Sequence, residues 1–233
     1  MSIHVLVRKH QWLLVPEYLT CRMYYIIITY VTEKEIIRKE ADRYKRGIVF
    51  MARKETITKN DILNAAFEMA RQEGLEEVSA RTLAAKAGCS TQPIFRVYKN
   101  MEELGEEVFT KAIDFFETYY ESFPRKNDTP FVNMGLAYIS FAQQESQLFR
   151  LLFLAQNRHG RSLYDLLNGK NGAVVKEINN AKFYGCKNPS GMFMQMWIFI
   201  HGSACMSLTG DYDLQEEETI TLLEQCFHAM QNL

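Results

Sequence analysis

The segment "SARTLAAKAGCSTQPIFRVYKN", Ser79 to Asn100, has the start and stop signals of two short helices joined by a tight turn. Ser79 is suited to cap the first helix, and Gly88 is suited to the left-handed backbone that ends it. The apolar residues after Gly88 recur at helical spacing, but they are too sparse for a fully buried helix. We therefore predict a helix-turn-helix whose second helix keeps one face exposed.

The second helix of this unit has two distinct faces. With Ser90 as its N-cap, Ile94, Val97 and Tyr98 form one apolar stripe that can pack on the preceding helices. Pro93 falls in the first turn, where backbone N–H groups lack helical partners in any case. The residues that then point outward are Thr91, Gln92, Phe95 and Arg96. This outward face is either a solvated surface or a binding surface.

The residue types on the outward face match the chemistry of DNA. Gln92 can form two hydrogen bonds with adenine, Arg96 can reach guanine or a phosphate, and Thr91 or Pro93 can contact a thymine methyl group. Lys99, at the far end, is placed to neutralise the DNA backbone. The predicted DNA-binding residues are Ser79, Arg81, Thr82, Ser90, Thr91, Gln92, Pro93, Phe95, Arg96 and Lys99.

Well-marked helices flank this unit on both sides. Thr58 and Asp61 form a capping box at the start of a helix that Gly74 ends, and Asn100 begins a longer helix that stops at Pro124. Further helices are predicted at about 129–143, 145–156, 161–168, 171–182, 189–209 and 213–231. A capping box beginning at Asp213 marks the start of the last one. From residue 52 onward the chain is predicted to be all-α.

The stretch from Ile57 to Phe109, "ITKNDILNAAFEMARQEGLEEVSARTLAAKAGCSTQPIFRVYKNMEELGEEVF", resembles the DNA-binding domain of TetR-family transcriptional regulators. The sequence departs from the family pattern in three places. Phe95 replaces a usual tyrosine, Gln92-Pro93 stands where a glycine and a small residue are frequent, and Met101 replaces a frequent lysine. The resemblance implies a homodimeric DNA-binding regulator, and the departures lie at positions that bear on its base contacts.

The same resemblance implies a helical domain at 101–233 that binds a small effector and dimerises. The segments at 146–153 and 197–210 resemble the subgroup named for a Trp-His-Gly signature, formed here by Trp197, His201 and Gly202. Aromatic and methionine side chains in this region suit either plain core packing or an adaptable apolar pocket. The candidate pocket residues are Phe116, Tyr120, Tyr138, Phe141, Phe153, Met196, Trp197 and His201.

Dimerisation is predicted to use the helices near 189–209 and 213–231. The last helix carries an apolar stripe at helical spacing, which we expect to be exposed for a symmetric four-helix interface. Its residues are Ile220, Leu223, Phe227 and Met230.

Residues 1–50 differ in character from the rest. The run at 21–31, "CRMYYIIITYV", is strand-like, and the run at 32–47 predicts a short charged helix. Met51 precedes a short basic arm and a capped helix, as at a natural protein start. We therefore expect residues 1–50 to be upstream sequence from a misassigned start, the alternative being a flexible arm. The predicted domains are 52–100 for DNA binding and 101–233 for effector binding and dimerisation.

Charge and cysteine usage narrow the functional class. The net charge of −1 is unevenly distributed, because residues 1–50 carry +4, residues 51–99 carry +2 and residues 100–233 carry −7. This distribution suits a protein that binds a polyanion with its basic end. The five cysteines are widely spaced without a C-x-x-C pair, which predicts a reducing cytoplasm and no metal. The longest apolar run, 24–31, is too short to cross a bilayer. No cofactor is predicted.

Two other functional classes compete with a regulator. The sequence "HGSA", residues 201–204, offers a histidine and a serine, but Ser203 lies inside a helical pattern without the strand-to-helix turn of a catalytic serine. An enzyme is therefore not predicted. An adaptor that keeps the helix-turn-helix only as a scaffold remains the alternative, and the basic character of the outward face argues against it.

Overall fold

The structure is a computed structural model that describes residues 3–8, 11–16 and 57–231. The chain divides into two compact units, Met1–Thr56 and Ile57–Leu233. In the first unit, β1 (Ile3–Arg8) and β2 (Gln11–Pro16) form an antiparallel hairpin. This hairpin was not predicted. The strand-like run at 21–31, the charged helix at 32–47 and Cys21 lie outside the described residues.

The second unit is helical throughout its described residues. Its helices are α1 (Lys59–Glu73), α2 (Ala80–Lys86), α3 (Gln92–Val97), α4 (Met101–Ser122), α5 (Val132–Gln144), α6 (Ser146–Phe149), α7 (Leu163–Asn168), α8 (Ala173–Phe183), α9 (Pro189–Thr209) and α10 (Glu216–Met230). A 3-10 turn at Leu75–Glu77 follows α1, and a π-helical turn at Arg150–Leu154 continues α6. The all-α prediction is confirmed for this unit, with α2 and α3 as the helix-turn-helix.

Local hydrogen bonds explain where three of the helices begin. The Asp61 backbone N–H donates to Thr58 Oγ1 over 3.1 Å, and the Thr58 N–H donates to the Asp61 carboxylate over 2.9 Å. Ser79 makes the equivalent reciprocal pair with Thr82 at the start of α2. The side chain of Asn100 accepts the N–H of Glu103 over 2.9 Å and starts α4. These caps satisfy N–H groups that the first helical turn leaves without partners.

Two predicted caps are wrong. Ser90 does not cap α3, because Thr91 already has a helical backbone and its carbonyl accepts the N–H groups of Ile94 and Phe95. The helix therefore begins one residue later and without a side-chain cap. Asp213 does not cap α10 either. The extended backbone of Gln215 places its N–H 2.8 Å from the Glu218 carboxylate, and the capping box forms there.

Two hydrophobic cores stabilise the second unit, and α4 contributes to both. The smaller core joins α1, α2 and α3 to the start of α4, from which Leu104 and Val108 enter it. The larger core contains the helices from α5 onward, and α4 supplies Ile113 and Phe116 to it. The helix α4 therefore connects the packing of the helix-turn-helix with the packing of the remaining domain, and Phe67 of α1 also reaches the larger core.

The predicted exposed stripe on the last helix is wrong. Leu223 and Phe227 are both 0% exposed because they pack into the larger core of their own chain. Ile220 and Met230 are partly buried against the same core. Gly135 of α5 makes this approach possible, since a Cβ at that position would lie 2.8 Å from the Leu223 side chain.

A row of exposed apolar residues lies on α9 instead. Met194, Ile198 and Met206 are large and exposed, and with Gly202 they fall at intervals of four residues along one face.

Among the described residues, no helix is long and apolar enough to span a membrane, and no cluster of acidic, histidine or cysteine side chains is arranged to hold a metal ion. Cys89, Cys186, Cys205 and Cys226 are free thiols.

Candidate nucleic-acid interface

The helix α3 has one buried face and one exposed face. Ile94 is 0% exposed and Tyr98 is 1% exposed, whereas Phe95 is 52% exposed. The side chains on the outer face are those of Ser90, Thr91, Gln92, Arg96 and Lys99, all exposed, with Pro93 half-buried between them. Polar, basic and aromatic groups are thereby presented together on a helix that the smaller core holds in place.

A three-residue network fixes α3 against α1 and α4. The Tyr98 hydroxyl donates to Glu107 Oε2 over 2.9 Å, and Lys59 Nζ donates to Glu107 Oε1 over 2.5 Å. The Lys59 ammonium also lies 4.9 Å from the centre of the Tyr98 ring. The end of the exposed helix is therefore tied to two other helices by charge-assisted hydrogen bonds.

This network shifts two pKa values. Burial, followed by the hydrogen bond to Glu107, raises the pKa of Tyr98 well above its usual range, so the hydroxyl stays protonated. Burial alone would raise the pKa of Glu107, but hydrogen bonds from Lys59 and Tyr98 outweigh it and lower that pKa. At neutral pH the pair is thus a hydroxyl donor and an ionised acceptor.

Three further predicted DNA-binding residues lie at the start of α2, the helix that precedes α3 in the helix-turn-helix. Ser79, Arg81 and Thr82 are all exposed. The two hydroxyls are already engaged in the helix cap, and the Thr82 hydroxyl also donates to the Glu77 carbonyl over 2.8 Å. Within the described residues, Arg81, Arg96 and Lys99 form no ion pair, so their charges are available to a polyanion.

The predicted pocket residues of the larger domain are packed against each other. Phe116, Tyr138, Phe141, Phe153, Met196 and Trp197 are buried, Tyr120 is partly buried and His201 is partly buried. The Tyr138 ring centre lies 4.8 Å from those of Phe153 and Trp197. Such spacings are those of directly contacting rings.

A polar chain crosses this aromatic core. Tyr138 Oη lies 3.0 Å from His201 Nδ1, and His201 Nε2 lies 3.7 Å from Cys205 Sγ. Burial lowers the pKa of His201, and the positive charge of Arg158 lowers it further, so the imidazole is held neutral. A neutral imidazole that is hydrogen-bonded on both sides contributes to the packed core.

Two cavities open on the surface of the second unit. The smaller has a volume of about 200 Å³ and is lined by Phe116 and Tyr120, the predicted pocket residues that reach it. The larger has a volume of about 460 Å³ and lies between the 3-10 turn, the start of α4 and the segment 147–159. None of its lining residues was predicted, because the cavity is formed by parts of the chain that are distant in sequence.

Residues 62–108 match the model of the family described as bacterial regulatory proteins, tetR family. No curated protein matches the chain. Three solved structures of similar fold are a TetR family protein from Vibrio parahaemolyticus, a TetR-like transcriptional regulator from Rhodococcus sp. RHA1 and a TetR-family transcriptional regulator from Haemophilus influenzae RD.

The three structures share the fold at low sequence identity. The Vibrio protein is 20% identical with a TM-score of 0.55, over 74% of this chain and 97% of its own. The Rhodococcus regulator is 14% identical with a TM-score of 0.54, over 72% and 91%. The Haemophilus regulator is 20% identical with a TM-score of 0.51, over 73% and 94%. The chain therefore has the fold of TetR-family regulators, and its residues 62–108 match that family of bacterial regulatory proteins.

Proposed function

We propose that this protein is a ligand-responsive transcriptional regulator that binds double-stranded operator DNA through α3. The observation that carries the proposal is the exposed face of α3, where Gln92, Phe95 and Arg96 project from a helix whose other face is buried. An α-helix of this kind fits the major groove, where base edges present distinct hydrogen-bonding patterns. The match of residues 62–108 to the tetR family supports the same conclusion.

The residues divide by role on the DNA. Gln92 and Arg96 read base edges, and Thr91, Pro93 and Phe95 make apolar contacts beside them. Arg81 and Lys99 neutralise phosphates, because each is an exposed cation without an ion pair among the described residues. Ser79, Thr82 and Ser90 approach the DNA backbone from the ends of the helices.

The functional form is a homodimer that places two copies of α3 in successive major grooves. The interface is formed by α9 together with α10, and the exposed residues Met194, Ile198 and Met206 on α9 support it. Isolated exposed apolar residues are common on proteins, but three on one face of one helix form a stripe that a symmetric partner can cover. The signature residues Trp197, His201 and Gly202 on the same helix support membership of the Trp-His-Gly subgroup.

The regulator acts as a repressor that releases DNA when a small, largely apolar effector binds the domain at 101–233. The proposed effector-binding residues are those of the aromatic core, with Phe116 and Tyr120 at the open cavity. The helix α4 connects the two hydrophobic cores, so a shift of α4 on effector binding would change the spacing of the two DNA-binding units. The DNA-competent population would then fall.

A salt titration of DNA binding tests this proposal. The full chain is titrated onto a labelled fragment of the DNA upstream of its own gene, and binding is followed by fluorescence anisotropy at several salt concentrations. Specific binding that weakens steeply with salt is expected, because the protein displaces counterions from the phosphates. An absence of binding even at low salt would favour an adaptor that keeps the helix-turn-helix only as a scaffold.

A further inference from the structure

The larger cavity lies at the junction of the helix-turn-helix and the remaining domain. We name it the junction cleft, and it is lined by residues of the ranges 75–78, 101–105 and 147–159. Its volume of about 460 Å³ falls within the usual range for small-molecule sites, roughly 300–1,000 Å³.

The floor of the junction cleft is apolar. Leu75, Val78 and Met101 line it from the side of the helix-turn-helix, and Leu151 and Ala155 line it from the opposite side. Gly105 leaves additional room, because a Cβ built at that position meets only the Leu75 side chain, at 4.0 Å. This surface can bury the apolar body of a small molecule.

The wall formed by residues 147–159 is rich in hydrogen-bond donors. Gln147 and Arg150 lie three residues apart, so they share one helical face, and Arg150 forms no ion pair with any described residue. The Asn157 Oδ1 atom accepts the N–H of His159 over 3.0 Å, which leaves the Asn157 amide group as a donor. Three donors around an apolar floor suit a ligand with one acidic group, which a guanidinium binds through two parallel hydrogen bonds.

The opposite wall carries two carboxylates, Glu76 and Glu102, both exposed. They repel an acidic group from that side and direct it towards Arg150. Glu102 lies in the first turn of α4, where the positive end of the helix dipole stabilises its charge without a bound cation.

The end of the donor-rich wall at His159 is fixed by contacts within the chain. His159 has a left-handed backbone, with φ of +50°, and its ring centre lies 5.1 Å from that of Phe109 on α4. Its Nδ1 atom lies 3.6 Å from the Glu106 carboxylate. The neighbouring Arg158 donates from Nη2 to the Phe153 carbonyl over 3.2 Å. A strained backbone fixed by contacts of this kind is typical of binding sites.

We propose that the junction cleft is a binding site for a small molecule that consists of an apolar body and one acidic group, with Arg150 as its anchor. This site is separate from the aromatic pocket proposed for the effector. A ligand here contacts both the turn that precedes α2 and the segment that follows α6. It is therefore positioned to act on the orientation of the helix-turn-helix.

Fluorescence titration of the full chain with anilinonaphthalene sulfonate tests the site without DNA, so its result does not depend on the regulator proposal. The dye has an aromatic body and one sulfonate. We expect saturable binding that Gly105→Leu weakens about tenfold or more by filling the cleft. Arg150→Gln should weaken dye binding several-fold, which is the effect expected when one charge-assisted contact is lost. Octanoate should displace the dye, and octylammonium should not.

The matched controls are Ala173→Leu, which fills the smaller cavity, and Arg125→Gln, which removes an exposed arginine elsewhere. Both should bind the dye as the unmodified chain does. Circular dichroism verifies that each variant is folded, and Arg150→Gln changes only an exposed side chain. Unchanged dye binding by Gly105→Leu and Arg150→Gln, loss of binding by Ala173→Leu, or displacement by octylammonium alone would overturn the proposal.

Discussion

At the scale of single residues, the position of α3 depends on a hydroxyl and a carboxylate that are distant from the exposed face. Tyr98 ends the buried side of α3, and its hydroxyl reaches the Glu107 carboxylate that Lys59 also contacts. Loss of this hydrogen bond removes one of the two side-chain donors to the Glu107 carboxylate. The geometry of the proposed DNA-reading helix therefore depends on a residue outside its exposed face.

Tyr98→Phe should lower the free energy of unfolding by about 1 kcal/mol at neutral pH, as measured by urea denaturation. Hydrogen bonds lower the pKa of Glu107 in the folded state. The ionised carboxylate therefore stabilises the fold fully above the pKa of an unfolded glutamate, and this stabilisation is lost as the pH falls through the folded-state pKa. The difference between the variant and the unmodified chain should therefore shrink in acid. Tyr164→Phe, at an exposed tyrosine, is the control. A difference that grows in acid would contradict this account.

The caps at Thr58 and Ser79 were predictable, those proposed at Ser90 and Asp213 were wrong, and the contacts that position α3 were not predicted. Thr58 with Asp61 and Ser79 with Thr82 interact across three residues, so the sequence pattern contains both partners. The bond between Lys59 and Glu107 spans 48 residues, and no local pattern indicates it. The outward orientation of Gln92 followed from helical periodicity, whereas its contact with a base remains a prediction.

At the scale of elements, one ion pair joins α1 to the start of α6. Arg71 Nε lies 2.7 Å from Glu145 Oε2, and Arg71 Nη2 lies 2.5 Å from Glu145 Oε1. The guanidinium also lies 4.8 Å from the centre of the Phe115 ring. Only a planar guanidinium can make both hydrogen bonds and stack on the ring at once.

Arg71→Lys should lower the free energy of unfolding by roughly 1–2 kcal/mol, because lysine keeps the charge but loses the paired geometry and the stacking. The control is Arg125→Lys. Arg125 pairs with Asp128 on the surface, and its replacement should change stability by less than about 0.5 kcal/mol. Chemical denaturation measures both. Equal effects of the two substitutions would show that the Arg71–Glu145 pair behaves as an ordinary surface ion pair.

Element boundaries were predictable where the signals were local. The predicted helix at 189–209 matches α9, which begins after the Asn188 cap and ends at the left-handed Gly210. The helix predicted from 129 begins only at Val132. Phe131 has a left-handed backbone with φ of +66°, and its N–H donates to Glu177 of α8 over 2.6 Å. This contact across 46 residues sets the boundary, and the sequence near Phe131 does not indicate it.

At the scale of the whole molecule, the proposed regulator requires two copies of the chain at a fixed spacing. The apolar stripe on α9 is the surface proposed for their contact. Ile198, at 65% exposure, lies in its middle. Leu223 and Phe227 of α10 pack into the core of their own chain, so α10 supports α9 from within it.

Ile198→Glu should convert the dimer to a monomer, because a symmetric interface would bury two charges close to each other. The control is Val175→Glu, which places the same charge on an exposed residue of α8. Sedimentation velocity measures the mass of each variant. A dimer that persists with Ile198→Glu would place the interface elsewhere on the molecule.

The most direct test of the account is a comparison of base preference between two α3 variants. Affinities of Gln92→Ala and Lys99→Ala are measured on the operator and on fragments with each base pair replaced in turn, with Gln143→Ala on α5 as the control. Gln92→Ala should lose about 1–3 kcal/mol of discrimination at one base pair in each half-site. Lys99→Ala should weaken binding to all fragments alike and reduce the salt slope by about 1. If Gln92→Ala keeps the base preferences of the unmodified chain, α3 does not read the operator in the way proposed.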